Sequence, residues 1–87
     1  MEILWKESAW LEYLEFEKQD RKTLEKINKL VKDIERNGVA EGLGKPEALK
    51  HQYSGYWSRR IDEKNRLIYE VNEQNQLHII ACKGHYN

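Results

Sequence analysis

The sequence predicts an α+β domain in which two N-terminal helices pack on one face of an antiparallel sheet. Two observations carry this reading. Apolar residues recur at helical spacing up to Asn37-Gly38, and short alternating runs separated by turn residues fill the chain from about position 48 onward. Helices first and strands after favour helices gathered on one side of a sheet. Residues 1–87 make one domain. A chain this short buries only about 60% of its unfolded surface, so a surface site is expected rather than an internal cavity.

Taken in order, Glu2–Trp5 reads as a short strand. Ser8 can cap a helix whose apolar positions are Trp10, Leu11, Leu14 and Phe16. Asp20 can cap a second helix, in which Leu24, Ile27, Leu30, Val31 and Ile34 mark one buried face. Asn37-Gly38 ends it, because glycine readily takes the left-handed conformation of a helix terminus. Three glycines and the only proline make residues 38–47 a loop. Strands are expected at 48–53, 56–62, 66–72 and 77–83, with Gly55 breaking the first pair and Asn72–Asn75 turning the last.

The middle hairpin has two candidate registers. A two-residue turn at Lys64-Asn65 puts Arg59 and Ile61 on the face of Arg66. A three-residue loop with Asn65 left-handed puts Arg60 with Arg66 instead. The second gathers Trp57, Ile61, Leu67, Tyr69 and Val71 on one apolar face, and burial demands one consistent face. It leaves Arg59 on the core side, expected near an edge, and it puts Arg60 and Arg66 on a bare, cationic opposite face.

Formal charge is zero, which argues against a generic nucleic-acid binder. The charge is uneven, however. Residues 45–66 hold six Lys+Arg against three Asp+Glu, while residues 1–44 hold eight against ten. A local patch of this kind can steer a phosphate backbone even on a neutral chain. The single cysteine, Cys82, cannot form an intramolecular disulfide, and the chain reads as a reduced, cytoplasmic protein. The N-terminus does not read as an export signal, and no apolar stretch approaches the about 20 residues of a membrane span.

Three segments carry candidate chemistry: Lys45-Pro46-Glu47-Ala48-Leu49-Lys50-His51, then Trp57-Ser58-Arg59-Arg60 with Asn65-Arg66-Leu67, and last His85-Tyr86. Together they supply a carboxylate, cations, an imidazole and a phenol. A metal-free ribonuclease needs such a set. Each residue also has a plainer reading. Glu47 alone reads as a solvated loop glutamate, and Arg66 as a strand residue paired with Glu63 or Glu70. His78, Cys82 and His85 look like a metal-ligand set. In an extended strand, however, His78 and Cys82 would lie roughly 13 Å apart, too far for one zinc. No metal or cofactor is therefore expected, and Cys82 reads as a small buried hydrophobe. The aromatic residues Trp5, Trp10, Tyr13, Phe16, Tyr53 and Tyr56 are too many to bury fully in so small a domain.

These segments resemble the Txe/YoeB toxins, RelE-like ribosome-dependent mRNA endonucleases of bacterial toxin–antitoxin pairs, over nearly the whole chain. Lys45–His51 is similar to the KPEPLKH stretch of that family. The resemblance implies a small RelE-like, microbial-RNase-like domain that cuts mRNA in the ribosomal A site by 2′-hydroxyl attack, without metal. It implies Glu47 as general base and Arg66 as the cation facing the transition state, where a guanidinium fork fits phosphoryl oxygens. His85 is the candidate general acid, with a reference pKa near neutrality. Tyr86 would bond a phosphate oxygen or stack on a base. Lys50, His51 and Arg60 are expected to hold flanking RNA. The implied partners are mRNA on the ribosome, a YefM-like antitoxin and a second toxin copy, with no membrane. Departures from the family pattern are Gly84 before His85, Asn87 after Tyr86, and a slightly longer loop before Glu47. The rival readings are a noncatalytic RNA- or protein-binding module on the same fold, and a regulatory member whose altered C-terminus has lost cleavage.

Overall fold

The computed structural model describes residues 1–85. The elements are β1 (Glu2–Trp5), α1 (Glu7–Gln19), α2 (Arg21–Asn37), β2 (Glu47–Ala48), β3 (Trp57–Arg60), β4 (Arg66–Val71) and β5 (Gln76–Ala81). They form a five-stranded sheet ordered β1-β5-β4-β3-β2. The β1–β5 pair is parallel and the other three pairs are antiparallel, so the sheet is mixed rather than wholly antiparallel. Both helices pack on one face, as the order of elements predicts.

The helix α2 follows the expectation closely. Asp20 caps it by accepting from the Thr23 backbone amide and the Thr23 hydroxyl at 3.1 and 2.7 Å. These bonds, the hydroxyl's first, hold the Asp20 carboxyl below its ordinary pKa. Leu24, Ile27, Leu30, Val31 and Ile34 are all buried. Gly38 ends the helix at φ 87°, its amide returning to the Ile34 carbonyl.

The helix α1 departs from it. Its first turn is set by Lys6, whose amide bonds the Ile79 carbonyl of β5 at 2.9 Å, so strand pairing rather than a Ser8 cap fixes the start. Trp10 and Leu11, expected inside, are 43% and 58% exposed. The inward positions are Ala9, Tyr13 and Phe16, together with Glu12, whose carboxylate accepts the Cys82 amide at 2.9 Å. Trp10 instead stacks on Tyr13 and meets Trp5 edge-on. Ala9 is small enough for close approach, and its carbonyl lies 3.6 Å from Cys82 Sγ.

The middle hairpin takes the register that burial favours. Trp57 pairs with Tyr69, Arg59 with Leu67, and Arg60 with Arg66. Ile61, Leu67 and Tyr69 are buried, with Trp57 and Val71 packed against them. The turn is built differently from the left-handed Asn65 expected, because Asn65 is not among the positive-φ residues. The Asp62 carboxylate instead accepts the Lys64 and Asn65 amides and the Asn65 side chain. Partial burial opposes the ionised Asp62, yet these bonds still hold its carboxyl below the ordinary value.

The strand expected at 48–53 is not one. Only Glu47 and Ala48 pair with β3, and the chain then turns through a short 3₁₀ segment, His51–Tyr53. His51 stands at φ 57°, and the Leu49 amide closes the turn on the Tyr56 carbonyl. This fold-back lays Leu49, Tyr53 and Tyr56 over Ile68 and Ala81. The helix-free face is therefore not bare, since a second small apolar cluster covers part of it. An irregularity between β4 and β5 completes the arrangement. Ile68 pairs with Ala81 but Tyr69 with Ile79, leaving Ile80 as an extra residue. The bulge turns Ala81 to the open face and Cys82 into the main core.

Among the described residues no helix is long and apolar enough to cross a membrane.

Candidate functional site

A cleft of about 600 Å³ opens on the helix-free side of the sheet. Each wall has a local cause. Strand alternation turns Arg59 inward and leaves Ser58 and Arg60 facing the cleft from β3. The register then places Arg66 of β4 directly across from Arg60. Like charges opposite one another on a sheet repel, and an anion bound between them relieves that cost. Glu47 enters beside Ser58, its register partner on β2. The fold-back contributes Leu49, Lys50 and His51.

His85 arrives from the far end of the chain. The Gly84 amide donates to Asn65 Oδ1 at 3.0 Å, and the Arg66 amide donates to the Gly84 carbonyl at 2.9 Å. Gly84 adopts φ 97°, a conformation that suits glycine and turns the tail back toward Arg66. His85 then lines the cleft and is solvent-exposed. The expected residues Glu47, Lys50, His51, Arg60, Arg66 and His85 thus share one cavity. Tyr86 lies outside the described residues.

The cleft is cationic, with Lys50, Arg60 and Arg66 facing Glu47, the one carboxylate side chain among the described residues that line it. Arg66 is half-buried and held by its own turn, Nη1 donating to the carbonyls of Asp62 and Asn65. Its Nε and Nη2 have no hydrogen-bond acceptor among the described residues. Arg60 and Glu47 are exposed and likewise form no ion pair among the described residues. The backbone around Glu47 is strained on both sides: Lys45 and His51, neither of them glycine, stand at φ 52° and 57°. Such positions cost of order 1–3 kcal/mol each and gather at functional sites.

The metal-ligand set considered from the sequence is not brought together. His78 lies on the helix-free side, its Nδ1 3.7 Å from Glu70, whereas Cys82 is in the helix-side core. Among the described residues no three His, Cys, Asp or Glu side chains converge.

Three contributors were not foreseen. Ser58 lines the floor between Glu47 and Arg60, as the parity of Arg60 could have indicated. Asn65 fastens the tail, for which no local pattern exists. Arg59 is fully buried and is not the awkward edge residue expected. Its five donors all find acceptors: Tyr69 Oη, Asp33 Oδ2, and the carbonyls of Gly38, Glu41 and Leu43. The Leu43 amide first, and then the Arg59 guanidinium, hold the Asp33 carboxyl below its ordinary range.

Residues 5–86 match the family model described as the YoeB-like toxin of bacterial type II toxin-antitoxin systems. The chain is 48% identical over 86 residues to Toxin YoeB of Escherichia coli (strain K12), covering 99% of this chain and 100% of that one. It superposes on the YoeB/ParE toxin from Agrobacterium tumefaciens with a TM-score of 0.94 at 40% identity, covering 99% and 100% of the two chains. The Staphylococcus aureus YoeB has been solved in a YoeB–YefM complex, with TM-score 0.91, 44% identity, and 99% and 98% coverage. It has also been solved as a YoeB dimer, with TM-score 0.92, 45% identity and the same coverage. With the family model matching residues 5–86 and relatives well above 30% identity, the chain belongs to the YoeB-like toxins of bacterial type II toxin–antitoxin systems.

Proposed function

We propose that this toxin is an endoribonuclease that cuts mRNA on the ribosome, and that the cleft is its active site. The observation that carries the reading is the meeting of Glu47, Arg60, Arg66 and His85 in one open cationic cavity. A carboxylate and an imidazole on the walls of a phosphate-attracting groove are what 2′-hydroxyl attack requires.

In the proposed step, the Glu47 carboxylate takes the proton from the ribose 2′-hydroxyl. The 2′-oxygen forms a bond to phosphorus as the bond to the 5′-oxygen breaks. His85, protonated, gives its proton to that leaving oxygen. The products are a 2′,3′-cyclic phosphate and a 5′-hydroxyl. Arg66, with Nε and Nη2 open among the described residues, faces the charge that builds on the phosphoryl oxygens. Tyr86 is assigned a phosphate or base contact. Lys50, His51 and Arg60 hold flanking nucleotides, their charges acting on affinity more than on chemistry. No metal enters the step, because acid and base are both side chains.

A YefM-like antitoxin is the proposed inhibitor and a second copy of the chain a further partner, in line with the S. aureus complex and dimer.

Expression without antitoxin should arrest growth and create new mRNA 5′ ends on ribosomes. Those ends should carry hydroxyls, so polynucleotide kinase labels them without prior phosphatase. Continued translation with no new ends, at normal protein levels, favours a noncatalytic binding module. Ends bearing 5′-phosphate refute 2′-hydroxyl attack.

A further inference from the structure

We infer that Arg59 is a positioning residue for the cleft. Acting through the loop of residues 38–46, it fixes the backbone that delivers Glu47, and so sets cleavage rate as well as stability. The inference rests on the reading of Glu47 as the base.

The first argument is where the guanidinium spends its hydrogen bonds. Nη2 donates to the Gly38 and Glu41 carbonyls, both at 2.7 Å, and Nη1 to the Leu43 carbonyl at 3.0 Å. Nε donates to Tyr69 Oη at 2.9 Å, and that hydroxyl donates onward to the Val39 carbonyl at 2.6 Å. Arg59 and Tyr69 therefore satisfy four loop carbonyls that neither a helix nor a sheet can serve. Asp33 closes the ring, accepting from Arg59 and from the Leu43 amide at 2.9 Å. The loop's conformation is thus dictated by one side chain and its two partners.

The second argument is contact. A Cβ on Gly42 would stand 1.9 Å from Asp33 Oδ2 and 3.1 Å from Arg59 Nη1. One on Gly44 would stand 3.1 Å from Arg59 Cβ and 3.0 Å from the Arg60 carbonyl. The loop is pressed directly onto the clamp, with no slack between them.

The third argument is transmission. The Gly44 carbonyl accepts the Arg60 amide at 2.6 Å. Only Lys45 and Pro46 separate Gly44 from Glu47, and neither is a free joint. Lys45 is held at φ 52°, and the proline ring fixes its own φ. Glu47 itself opens the two-residue edge strand β2, pairing with Ser58, the residue next to Arg59 on β3. Displacing the loop therefore displaces Glu47 first, whereas Arg66 and the His85 tail have a second anchor in Asn65, which lies outside the loop of residues 38–46.

The test is a double-mutant cycle with two mild lesions, because removing Arg59 itself endangers folding. Tyr69→Phe deletes the hydroxyl between Nε and Val39, and Asp33→Asn removes the anion while keeping an acceptor. Each is made in the parent and in Glu47→Gln. Single-turnover cleavage is followed on saturating programmed ribosomes, well below each melting temperature, with folding verified by circular dichroism. Expected in the parent background is a loss of about tenfold in rate, since misplacement by about 1 Å can cost up to about 100-fold. Expected in Glu47→Gln is a change under about twofold, because the displaced base is already gone. The melting-temperature losses should be the same in both backgrounds. Unchanged parental rates, or an equal fold-loss in both backgrounds, overturn the inference and leave Arg59 a purely structural residue. Glu47→Gln cleaving at the parental rate is read from that variant alone; it refutes the assigned base, and the inference with it.

Discussion

Arg59 and Arg60 are neighbours on β3, yet one peptide bond separates two different physical environments. Arg59 is wholly buried, with every donor matched to a protein acceptor. Arg60 is exposed on the cleft wall opposite Arg66, with no ion pair among the described residues. The pleat alone decides which is which, because successive side chains of a strand point to opposite faces. A saturated guanidinium organises the protein around it, whereas one left open can organise a ligand. The same division runs through the sheet: structure is set on the helix side and chemistry is proposed on the other.

The sharpest way to break this comparison is to neutralise the cleft without touching the core. Glu47→Gln and His85→Gln should each slow single-turnover cleavage by about 10²–10⁴-fold while the circular dichroism spectrum stays parental. If both cleave normally, the helix-free face is not where the chemistry happens. Arg66→Ala should also slow cleavage, by withdrawing charge from the transition state, in the same assay.

The converse lesion is Arg59→Met. It leaves Asp33, whose side chain is only 12% exposed, without its cation and strands three loop carbonyls. Loss of one partner of such a pair costs about 3–5 kcal/mol, measured by urea unfolding. Arg60→Ala should stay within about 0.5 kcal/mol of the parent in that assay. Similar losses for both would erase the distinction between the two arginines.

Binding should show the opposite ranking. Arg60→Ala and Lys50→Ala should each weaken association with RNA-programmed ribosomes and lower the slope of log affinity against log salt by about one. An unaltered salt slope would take these cations out of the RNA contact.

The smallest expected effect is on acid stability. The folded pKa of Asp33 lies below its ordinary value of 3.8. Its contribution to stability is therefore complete above that value and is lost as pH falls through the lower folded one. Asp33→Asn should make unfolding free energy less steep with pH below 3.8, leaving the shares of Asp20 and Asp62, whose carboxyls are also lowered. Equal slopes in parent and variant would show that Asp33 titrates alike in both states.

How much of this was legible in the sequence depends on how local each cause is. The helix α2 was readable because its cap, its apolar stripe and its terminal glycine lie within one continuous segment. The start and inner face of α1 were not, because Lys6 is fixed by β5 and the inward side is built on Ala9 and Glu12 rather than on large apolar residues. The fold-back after Ala48 was read as a strand because Leu49, His51 and Tyr53 alternate plausibly. Nothing in a histidine announces φ 57°. Parity placed Arg59 inside correctly, but its acceptors lie 10 to 26 residues away, so its saturation could not be read locally. In the cleft, the pairing of Arg60 with Arg66 followed from burial. The nearness of Glu47 and His85 to them came from family resemblance, since each is brought in by a loop or tail that no periodicity describes.

Cys82 gives the molecule an internal clock. Burial, and then the nearby Glu12 carboxylate, push its thiol up to about 12. At pH 7 such a group stays protonated, and it is the thiolate that reacts with alkylating reagents. While α1 lies against β5, the sulfur is chemically silent. Parting of that seam exposes the thiol and restores its ordinary acidity. This is the sequence's only cysteine, so thiol modification reports on one known place. Labelling kinetics on the unmodified chain therefore report how often the packing of α1 over Cys82 comes apart.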